Sequence, residues 1–181
     1  DEDPDSDKKP VVITQLRYKT DGSGLNGSGR SHIFTIPSNG PSDGEASEQL
    51  THGDIDHYAP TWSPDGERIA FMAAKDVNRE FESRSEAYTM KVGTGLARSI
   101  SAGLYAVAGV TWSPDGKKIA FSANRGGNIN AYEIYVMNAD ESGQTRLTHT
   151  PGAGLPTWPS ARNSGHSWSP DGTKIAFATR P

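Results

Sequence analysis

The 181-residue sequence predicts an all-β fold built from repeated units of four antiparallel strands. Three observations lead to this prediction. An eleven-residue phrase occurs three times, each copy has the pattern of a β-hairpin, and further strand and turn patterns follow the hairpins. Repetition at a spacing of about 50 residues indicates one structural unit used several times. Four-stranded units that begin with such a hairpin are typical of the blades of a β-propeller.

The repeated phrase reads TWSPDGERIAF at 61–71, TWSPDGKKIAF at 111–121 and SWSPDGTKIAF at 167–177. Its Ser-Pro-Asp-Gly core is turn chemistry, because Pro presets φ at the second turn position, Asp tolerates the third, and Gly supplies freedom at the fourth. The repeat positions that we expect to build the hairpins are Trp62, Pro64, Asp65, Gly66, Trp112, Pro114, Asp115, Gly116, Trp168, Pro170, Asp171 and Gly172.

A short Ile-Ala-Phe strand follows each turn and a Trp precedes it. Ile and Phe lie two residues apart and point to one face of the sheet, while the Ala between them points to the other. We therefore expect Trp62 and Trp112 to be largely buried between neighbouring blades. Trp158 could also anchor the last hairpin, but Trp168 is favoured because the complete turn and strand follow it.

The strand pattern divides the chain into an acidic leader and four blade segments. Residues 1–10 are charged, contain proline and predict disorder. We place a partial blade at 11–53, with strands near 11–19, 31–37 and 47–53, complete blades at 54–100 and 101–150, and a partial blade at 151–181. The expected architecture is an incomplete propeller of about three to four blades.

Composition excludes several classes of protein. Gly and Pro are frequent, with 20 and 12 residues, and no window shows a sustained helical period, so we expect almost no helix. The net charge of −4 argues against nucleic acid as a general partner. No apolar run approaches the length of a membrane span. The absence of cysteine excludes disulfides and thiolate metal sites.

The three WSPDGxxIAF phrases, together with IYVMNADESGQTRLT at 134–148, resemble the TolB-type β-propeller repeat, a WD-like repeat. The stretch 15–93 also resembles the propeller of acylaminoacyl-peptidase-like members of the prolyl oligopeptidase family. In that family the propeller covers a hydrolase domain and restricts access to its catalytic triad. The second resemblance covers only the non-catalytic part of such an enzyme.

The sequence offers no catalytic set and no cofactor site. Gly165-His166-Ser167-Trp168-Ser169 fails the fifth position of a G-x-S-x-G elbow, and Ser167 occupies the hairpin position of Thr61 and Thr111. The segment 22–27 satisfies G-x-G-x-x-G, but no helix pattern follows it, so we interpret it as a loop.

Metal is not expected either, although one loop carries weak candidate ligands. These are His52, Asp54, Asp56 and His57. Histidine and carboxylate side chains do bind metals together, yet the Asp and Gly of this segment are also what a turn between blades needs.

The function that the sequence favours is a non-catalytic binding or scaffold module that recognises a protein or peptide through loops on one rim. Loops carry binding residues on rigid scaffolds. The candidate partner-binding residues are Arg79, Glu82, Arg84, Arg125 and Asn128. The alternative is the substrate-gating propeller of a prolyl-oligopeptidase-family serine peptidase without its hydrolase domain. A carbohydrate-processing propeller is a third class, for which the sequence shows no distinctive residues.

Partners and location follow from the same interpretation. The apolar strands at 11–19 and 174–180 would leave open edges, which predicts self-association or further blades in a longer chain. The TolB resemblance implies a periplasmic or secreted protein, and the peptidase resemblance implies a cytoplasmic one.

Overall fold

The computed structural model describes residues 19–20, 24–25, 29–39, 47–74, 84–124, 132–149 and 164–179. Every regular element in these ranges is a β-strand. The strands are β1 (Lys19–Thr20), β2 (Gly24–Leu25), β3 (Phe34–Thr35), β4 (Glu48–Gln49), β5 (His57–Trp62), β6 (Arg68–Ala74), β7 (Ser85–Lys91), β8 (Ala97–Ser99), β9 (Ala106–Trp112), β10 (Lys118–Asn124), β11 (Glu133–Asn138), β12 (Thr145–Arg146), β13 (Ser164–Trp168) and β14 (Ile175–Ala178).

Two antiparallel sheets of four strands form the centre of the fold. The second blade has the order β5-β6-β7-β8, and the third blade has the corresponding strands β9 to β12 in sequential order. The pair β3–β4 belongs to the first blade, β1–β2 is a separate short pair, and β13–β14 is the terminal hairpin. These sheets confirm the predicted all-β fold of partial propeller blades. Across the described ranges, no helix is long and apolar enough to span a membrane.

The N-terminal predictions are only partly covered by the described residues. Of the strand expected at 11–19, only Lys19 is described, and it pairs with Leu25. The glycine-rich segment 22–27 therefore contributes β2 to a short hairpin. Trp158 and the leader 1–10 lie outside the described residues.

The three Ser-Pro-Asp-Gly turns have nearly identical geometry. The carbonyl oxygen of the turn Ser accepts the Gly N–H at 2.9 Å in each copy. The Ser hydroxyl donates to the Asp carboxylate at 2.6 Å, 2.7 Å and 2.6 Å in the three turns. Gly66, Gly116 and Gly172 have φ of 72°, 70° and 70°, which confirms the expected need for glycine at this position.

Alternation along the second strand of each blade separates a bulky face from a small one. In β6, Ile69 and Phe71 point toward the first blade, whereas Ala70 and Met72 point toward the third. We call the face turned toward the preceding blade the leading face and the opposite face the trailing face. In β10, Ile119 and Phe121 again lie on the leading face. Large leading residues therefore pack onto a trailing face that the Ala keeps shallow.

Two hydrophobic clusters join the blades. The cluster between the first and second blades includes Ile33, Leu50, Ile69, Phe71 and Met90. The cluster between the second and third blades contains the larger set of Ala70, Met72, Ala87, Ile100, Leu104, Val107, Val110, Trp112, Ile119, Phe121, Ala123, Tyr135 and Met137. The core thus lies between sheets rather than within one sheet.

The expected burial of the hairpin Trp residues is right for Trp112 and wrong for Trp62. Trp112 is 6% exposed, while Trp62 is 49% exposed. Both side chains lie on leading faces, since each pairs with the Ile of its hairpin. Trp112 packs onto a complete four-stranded sheet, whereas the described sheet before Trp62 has only the two-residue strands β3 and β4. The difference therefore comes from the preceding blade and not from the hairpin.

A β-bulge interrupts the first strand of each hairpin three residues before its Trp. The pairing register shifts at this point in all three hairpins. The bulge residues are Ala59, Gly109 and Gly165, with φ of 51°, 72° and 61°. Glycine adopts this conformation without cost, but alanine does not.

Candidate functional site

Three histidines meet between the first and second blades. The ring centroids of His32 and His57 lie 5.3 Å apart, and those of His32 and His52 lie 6.4 Å apart. His57 also contacts Phe71, with ring centroids 5.8 Å apart. Burial lowers the pKa of His57, and the nearby His32 lowers it further. A buried neutral imidazole against an aromatic ring is a packing element of this interface.

The carboxylates of the same loop are used to hold the loop in place. Asp54 accepts a hydrogen bond from Nε of Arg30 at 2.9 Å. Asp56 accepts the backbone N–H of Ser31 at 2.9 Å. Within the described ranges, no group of three or more His, Asp or Glu side chains is arranged to hold a metal ion. The candidates His52, Asp54, Asp56 and His57 are therefore not brought together as a ligand set, and His32, which the sequence interpretation missed, joins the two histidines instead.

A serine and a histidine meet between the third blade and the terminal hairpin. Oγ of Ser122 lies 3.1 Å from Nδ1 of His166, and Nε2 of His166 lies 3.2 Å from the carbonyl oxygen of Ala120. The carbonyl can only accept, so Nε2 carries the proton and Nδ1 accepts from the serine. Burial lowers the pKa of His166.

This Ser122–His166 contact does not have the geometry of a nucleophile and its base. Ser122 is fully buried, and a backbone carbonyl stands where a catalytic base would need an orienting carboxylate. Ser167 is exposed, and its hydroxyl donates a long hydrogen bond to the carbonyl of Trp168 at 3.5 Å. Neither serine lies on a strand-to-helix elbow, because Ser122 lies within β10 and Ser167 lies within β13.

Of the five rim residues, only Arg84 lies within the described residues. Its guanidinium carbon lies 3.9 Å from the ring centroid of Tyr105. This cation–π contact joins the residue before β7 to the residue before β9. Arg79, Glu82, Arg125 and Asn128 lie outside the described residues.

An apolar cleft separates the third blade from the terminal hairpin. It has a volume of about 330 Å³. Its apolar walls are Ile134, Val136 and Leu147 on the third blade and Trp168, Ile175 and Phe177 on the hairpin. Lys118 and Lys174 also line it. A concave apolar site with a few polar groups is the usual form of a ligand site.

Two cleft residues are more exposed than their counterparts in the other blades. Leu147 donates its backbone N–H to the carbonyl of Ile134, as Leu50 does to Ile33 and Ile100 to Ala87. Leu50 and Ile100 are 6% and 4% exposed, but Leu147 is 50% exposed. Phe177 is 41% exposed, although its repeat counterparts in β6 and β10 are almost fully buried.

This pattern was readable in part from the sequence. The pairs Leu50-Thr51 and Leu147-Thr148 close their blades in the same way, with each Thr hydroxyl accepting a backbone N–H of the neighbouring strand at 2.9 Å. The sequence therefore marks Leu147 as a residue that the next blade should cover.

The comparisons with known proteins agree with this architecture. The model of the TolB β-propeller domain family matches residues 28–180. No curated protein matches the chain. A putative TolB from Agrobacterium tumefaciens has a similar structure, with a TM-score of 0.62 and 23% identity over 83% of this chain. A puromycin hydrolase has a TM-score of 0.62 and 17% identity over 82% of this chain.

Both matched structures are much longer than the matched region. The match covers 46% of the TolB structure and 24% of the puromycin hydrolase. At these identities the likeness concerns the fold alone. Because the family model covers most of its residues, the chain belongs to the TolB β-propeller family.

Proposed function

We propose that this TolB-type propeller chain is a non-catalytic binding module that recognises a segment of another protein at the cleft beside its terminal hairpin. The observation that carries the proposal is the half-exposed Leu147, which forms one wall of the cleft while its counterparts are covered. Exposed apolar surface of this kind marks interaction sites. The facing wall supplies Trp168 and Phe177, and aromatic side chains are common anchors of protein interfaces.

The charges at the cleft favour an acidic partner. Lys118 and Lys174 line it, and no carboxylate is among those lining residues that the structure describes. Their ammonium groups would attract acidic segments and suppress the binding of basic ones.

Selection from a random peptide library on the immobilised chain tests this proposal. We expect enriched peptides that lose binding to Leu147→Asp and keep binding to Leu96→Asp. Leu96 is a matched control because it is also exposed, at 77%, but lies on the second blade away from the cleft. The proposal is wrong if enriched peptides bind both variants equally, or if none is enriched.

The rim loops are a second proposed contact surface. The contact between Arg84 and Tyr105 supports this role, because it anchors one end of the charged loop to the blade framework. Substitution of Arg79 and Arg125 by Glu should weaken the binding of a partner that contacts the rim loops, and it should leave the binding of peptides at the cleft unchanged. A rim partner whose affinity is unchanged in this double variant would contradict the assignment.

The alternative function is that of a gating propeller attached to a serine peptidase domain. Its support is the shared fold with the puromycin hydrolase, whose chain is longer than the matched region. Sequencing the coding region beyond codon 181 tests it. A downstream G-x-S-x-G elbow followed by a helix pattern would favour the peptidase, and further blades would favour the binding module.

A further inference from the structure

The three histidines between the first and second blades form a series that runs from solvent into the protein. His52 is exposed, His32 is partly buried, and His57 is only 8% exposed. The ring of His57 contacts those of His32 and Phe71, with centroids 5.3 Å and 5.8 Å away. Among the described residues, buried Nδ1 of His57 has no hydrogen-bond partner. This junction, which we call the first junction, therefore contains a buried imidazole with a second titratable ring beside it.

The junction between the second and third blades, the second junction, has an apolar residue in place of His57. His57 pairs with Ala73 of β6, and Val107 pairs with Ala123 of β10 in the same way. Val107 is 2% exposed and belongs to the hydrophobic cluster of the second junction. An apolar side chain therefore fits this position of a blade, and the fold does not require a titratable one.

The other two histidines are also specific to the first junction. The hydroxyl that closes each blade accepts the N–H of Ile33 in the first blade and of Ala87 in the second, which aligns the two blades. The aligned positions are His52, His32 and His57 at the first junction, and Ala102, Glu86 and Val107 at the second. Histidine at these positions is therefore a property of one junction and not of the repeat.

The immediate surroundings of His57 oppose a positive charge on its ring. Burial has the largest effect and lowers the pKa of His57, and the nearby His32 lowers it further. The backbone groups of Ile55 and Ser31 and the carboxylate of Asp56 act in the opposite direction, but they do not outweigh these two effects. Protonation of His57 in the closed junction is therefore unfavourable.

The charged residues on the first blade and its following loop have partners other than His57. Asp56 accepts a backbone N–H of the first blade at 2.9 Å. Asp54 accepts a hydrogen bond from Nε of Arg30, also at 2.9 Å. Glu48 of β4 is exposed, so water screens its charge. Among the described residues on this side, no carboxylate forms an ion pair with His57.

The described part of the second blade adds no charge that pairs with His57 either. Glu86 lies in the same row of the sheet and accepts the hydroxyl of Tyr88 at 2.8 Å. Burial raises the pKa of Tyr88 to about 12, so this side chain stays neutral in acid. Arg68 and Lys91 pair with each other at the opposite end of β6 and β7. Strand β9, which also packs on β5, has no titratable residue.

We propose that the first junction is an acid-sensitive joint, in which protonation of the histidine cluster releases the first blade from the leading face of the second while the second junction stays closed. A proton on His57 would be a buried charge without an ion pair, and such a charge is costly. A second proton, on His32, would place two positive rings 5.3 Å apart. In the released state, water hydrates both rings. This inference goes beyond the proposed binding function and does not depend on it.

The direction of the pH dependence follows from linkage. Because the pKa of His57 is lower in the closed junction than its ordinary 6.5, the released state binds more protons. The closed junction is therefore fully stable above about pH 6.5 and weakens as the pH falls below it. Release would uncover Ile69, Phe71 and Met90 on the second blade. The described cluster at the first junction is smaller than that at the second, so less apolar burial opposes its opening.

Single cysteines can report the opening of each junction, because the chain has none of its own. Leu50→Cys places a thiol in the first junction, and Ile100→Cys places one at the equivalent position of the second. Leu50 and Ile100 are 6% and 4% exposed, so each thiol reacts when its junction opens. The measurement is the rate of reaction with a pyridyl disulfide, divided by the rate of a short peptide with the same cysteine at the same pH. This division removes the effect of thiol ionisation, and EDTA in all buffers removes metal ions.

We expect the relative rate of Leu50→Cys to rise about tenfold or more between pH 7.5 and pH 5, because the uptake of one proton on opening changes the opening constant about tenfold per pH unit below the ordinary pKa. The rise should reverse when the protein is returned to pH 7.5. The relative rate of Ile100→Cys should rise much less, since the second junction has no histidine at the aligned positions.

Three further substitutions in the Leu50→Cys protein assign the response. His57→Val introduces the residue of the third blade and should remove most of the rise in acid. His32→Gln removes the second ring at a partly buried position and should reduce the rise, which gives a second test in which His57 is retained. His166→Gln is the matched control, because it removes a histidine with a lowered pKa from a different part of the fold, and it should leave the rise unchanged.

Four results would overturn the proposal. The first is a relative rate of Leu50→Cys that stays constant down to pH 5. The second is an equal rise for Leu50→Cys and Ile100→Cys, which would indicate unfolding of the whole domain. The third is a full rise that persists in both His57→Val and His32→Gln, which would assign the response to other groups. The fourth is loss of the rise in the control His166→Gln.

Discussion

Replacement of Ala59 by glycine should stabilise the protein. Ala59 has φ of 51° at the bulge of the first Ser-Pro-Asp-Gly hairpin, where the other two hairpins of this kind have Gly109 and Gly165. A left-handed conformation costs an L-residue about 1–2 kcal/mol. Glycine avoids that cost but loses about 0.5–1 kcal/mol through its greater conformational entropy in the unfolded chain. The side chain of Ala59 is exposed, so its removal loses little packing.

The expected gain in the free energy of unfolding is therefore about 0.5–1 kcal/mol, which results when the lower and upper ends of the two ranges are subtracted from each other in turn. For a domain of this size, it corresponds to a rise in Tm of about 1–4 °C. Urea unfolding followed by tryptophan fluorescence measures the free energy, and calorimetry measures Tm. The residue that follows, Pro60, strengthens the expectation, because proline favours extended conformations for the residue before it, in part through a clash with a Cβ that glycine lacks.

Ala108→Gly is the matched control for this prediction. Ala108 is also exposed and adjoins the bulge residue of the next hairpin, but its φ is not positive. The same chemical change there should destabilise the protein by about 0.5–1 kcal/mol. If Ala59→Gly and Ala108→Gly lowered the free energy of unfolding equally, the argument from backbone strain at Ala59 would be refuted.

Three further predictions concern packing and pH. Trp112→Ala should lower the free energy of unfolding by about 3–5 kcal/mol and Trp62→Ala by less than about 2 kcal/mol, because of these two side chains only that of Trp112 is fully packed. Equal shifts in the urea midpoint of the two variants would contradict this. Hydrogen bonds from Ser169 and Thr173 lower the pKa of Asp171 to about 2, so its contribution to stability is complete above about pH 4 and is lost as pH falls toward 2. In the variant Asp171→Asn, Tm should therefore fall less steeply as the pH drops below about 4 than it does in the wild type. An equally steep fall in both proteins would exclude a stabilising role of the Asp171 carboxylate. Burial lowers the pKa of His166 below its usual 6.5, so the wild type should lose stability as the pH falls below about 6.5. His166→Gln should lose less stability over the same range. Measurements of Tm at pH 7.5 and pH 5 for both proteins test this.

The sequence predicted the hairpins well because their structure is decided within a few residues. The turn at Gly116 needs only its local hydrogen bonds and a positive φ, both of which short-range chemistry determines. The burial of Trp62 could not be predicted in the same way. Its phrase is identical to that of Trp112 over six residues, and the difference depends on which sheet lies in front of it.

The sequence marks Leu147, but the exposure of the candidate site could not be predicted from it for a related reason. The cleft combines β10, β11 and the two residues after β12 with β13 and β14, across residues separated by a long connection. Leu147 carries the same local signature as Leu50, and only the packing of the next blade makes one exposed and the other buried. The His32 contact with His57 likewise joins the loop before β3 to the first residue of β5, and their approach depends on how the blades pack.

The two ends of the described arc expose opposite kinds of surface. At the first blade, the leading residues Phe34 and Ile36 are 53% and 62% exposed. At the terminal hairpin, the exposed trailing residues are Ala176 and Ala178. Two bulky leading faces would overpack against each other, and two shallow trailing faces would leave a void, so a leading face packs well only on a trailing face. The same rule applies at the terminal hairpin, where the leading residues Ile175 and Phe177 line one cleft with Leu147 of the third blade.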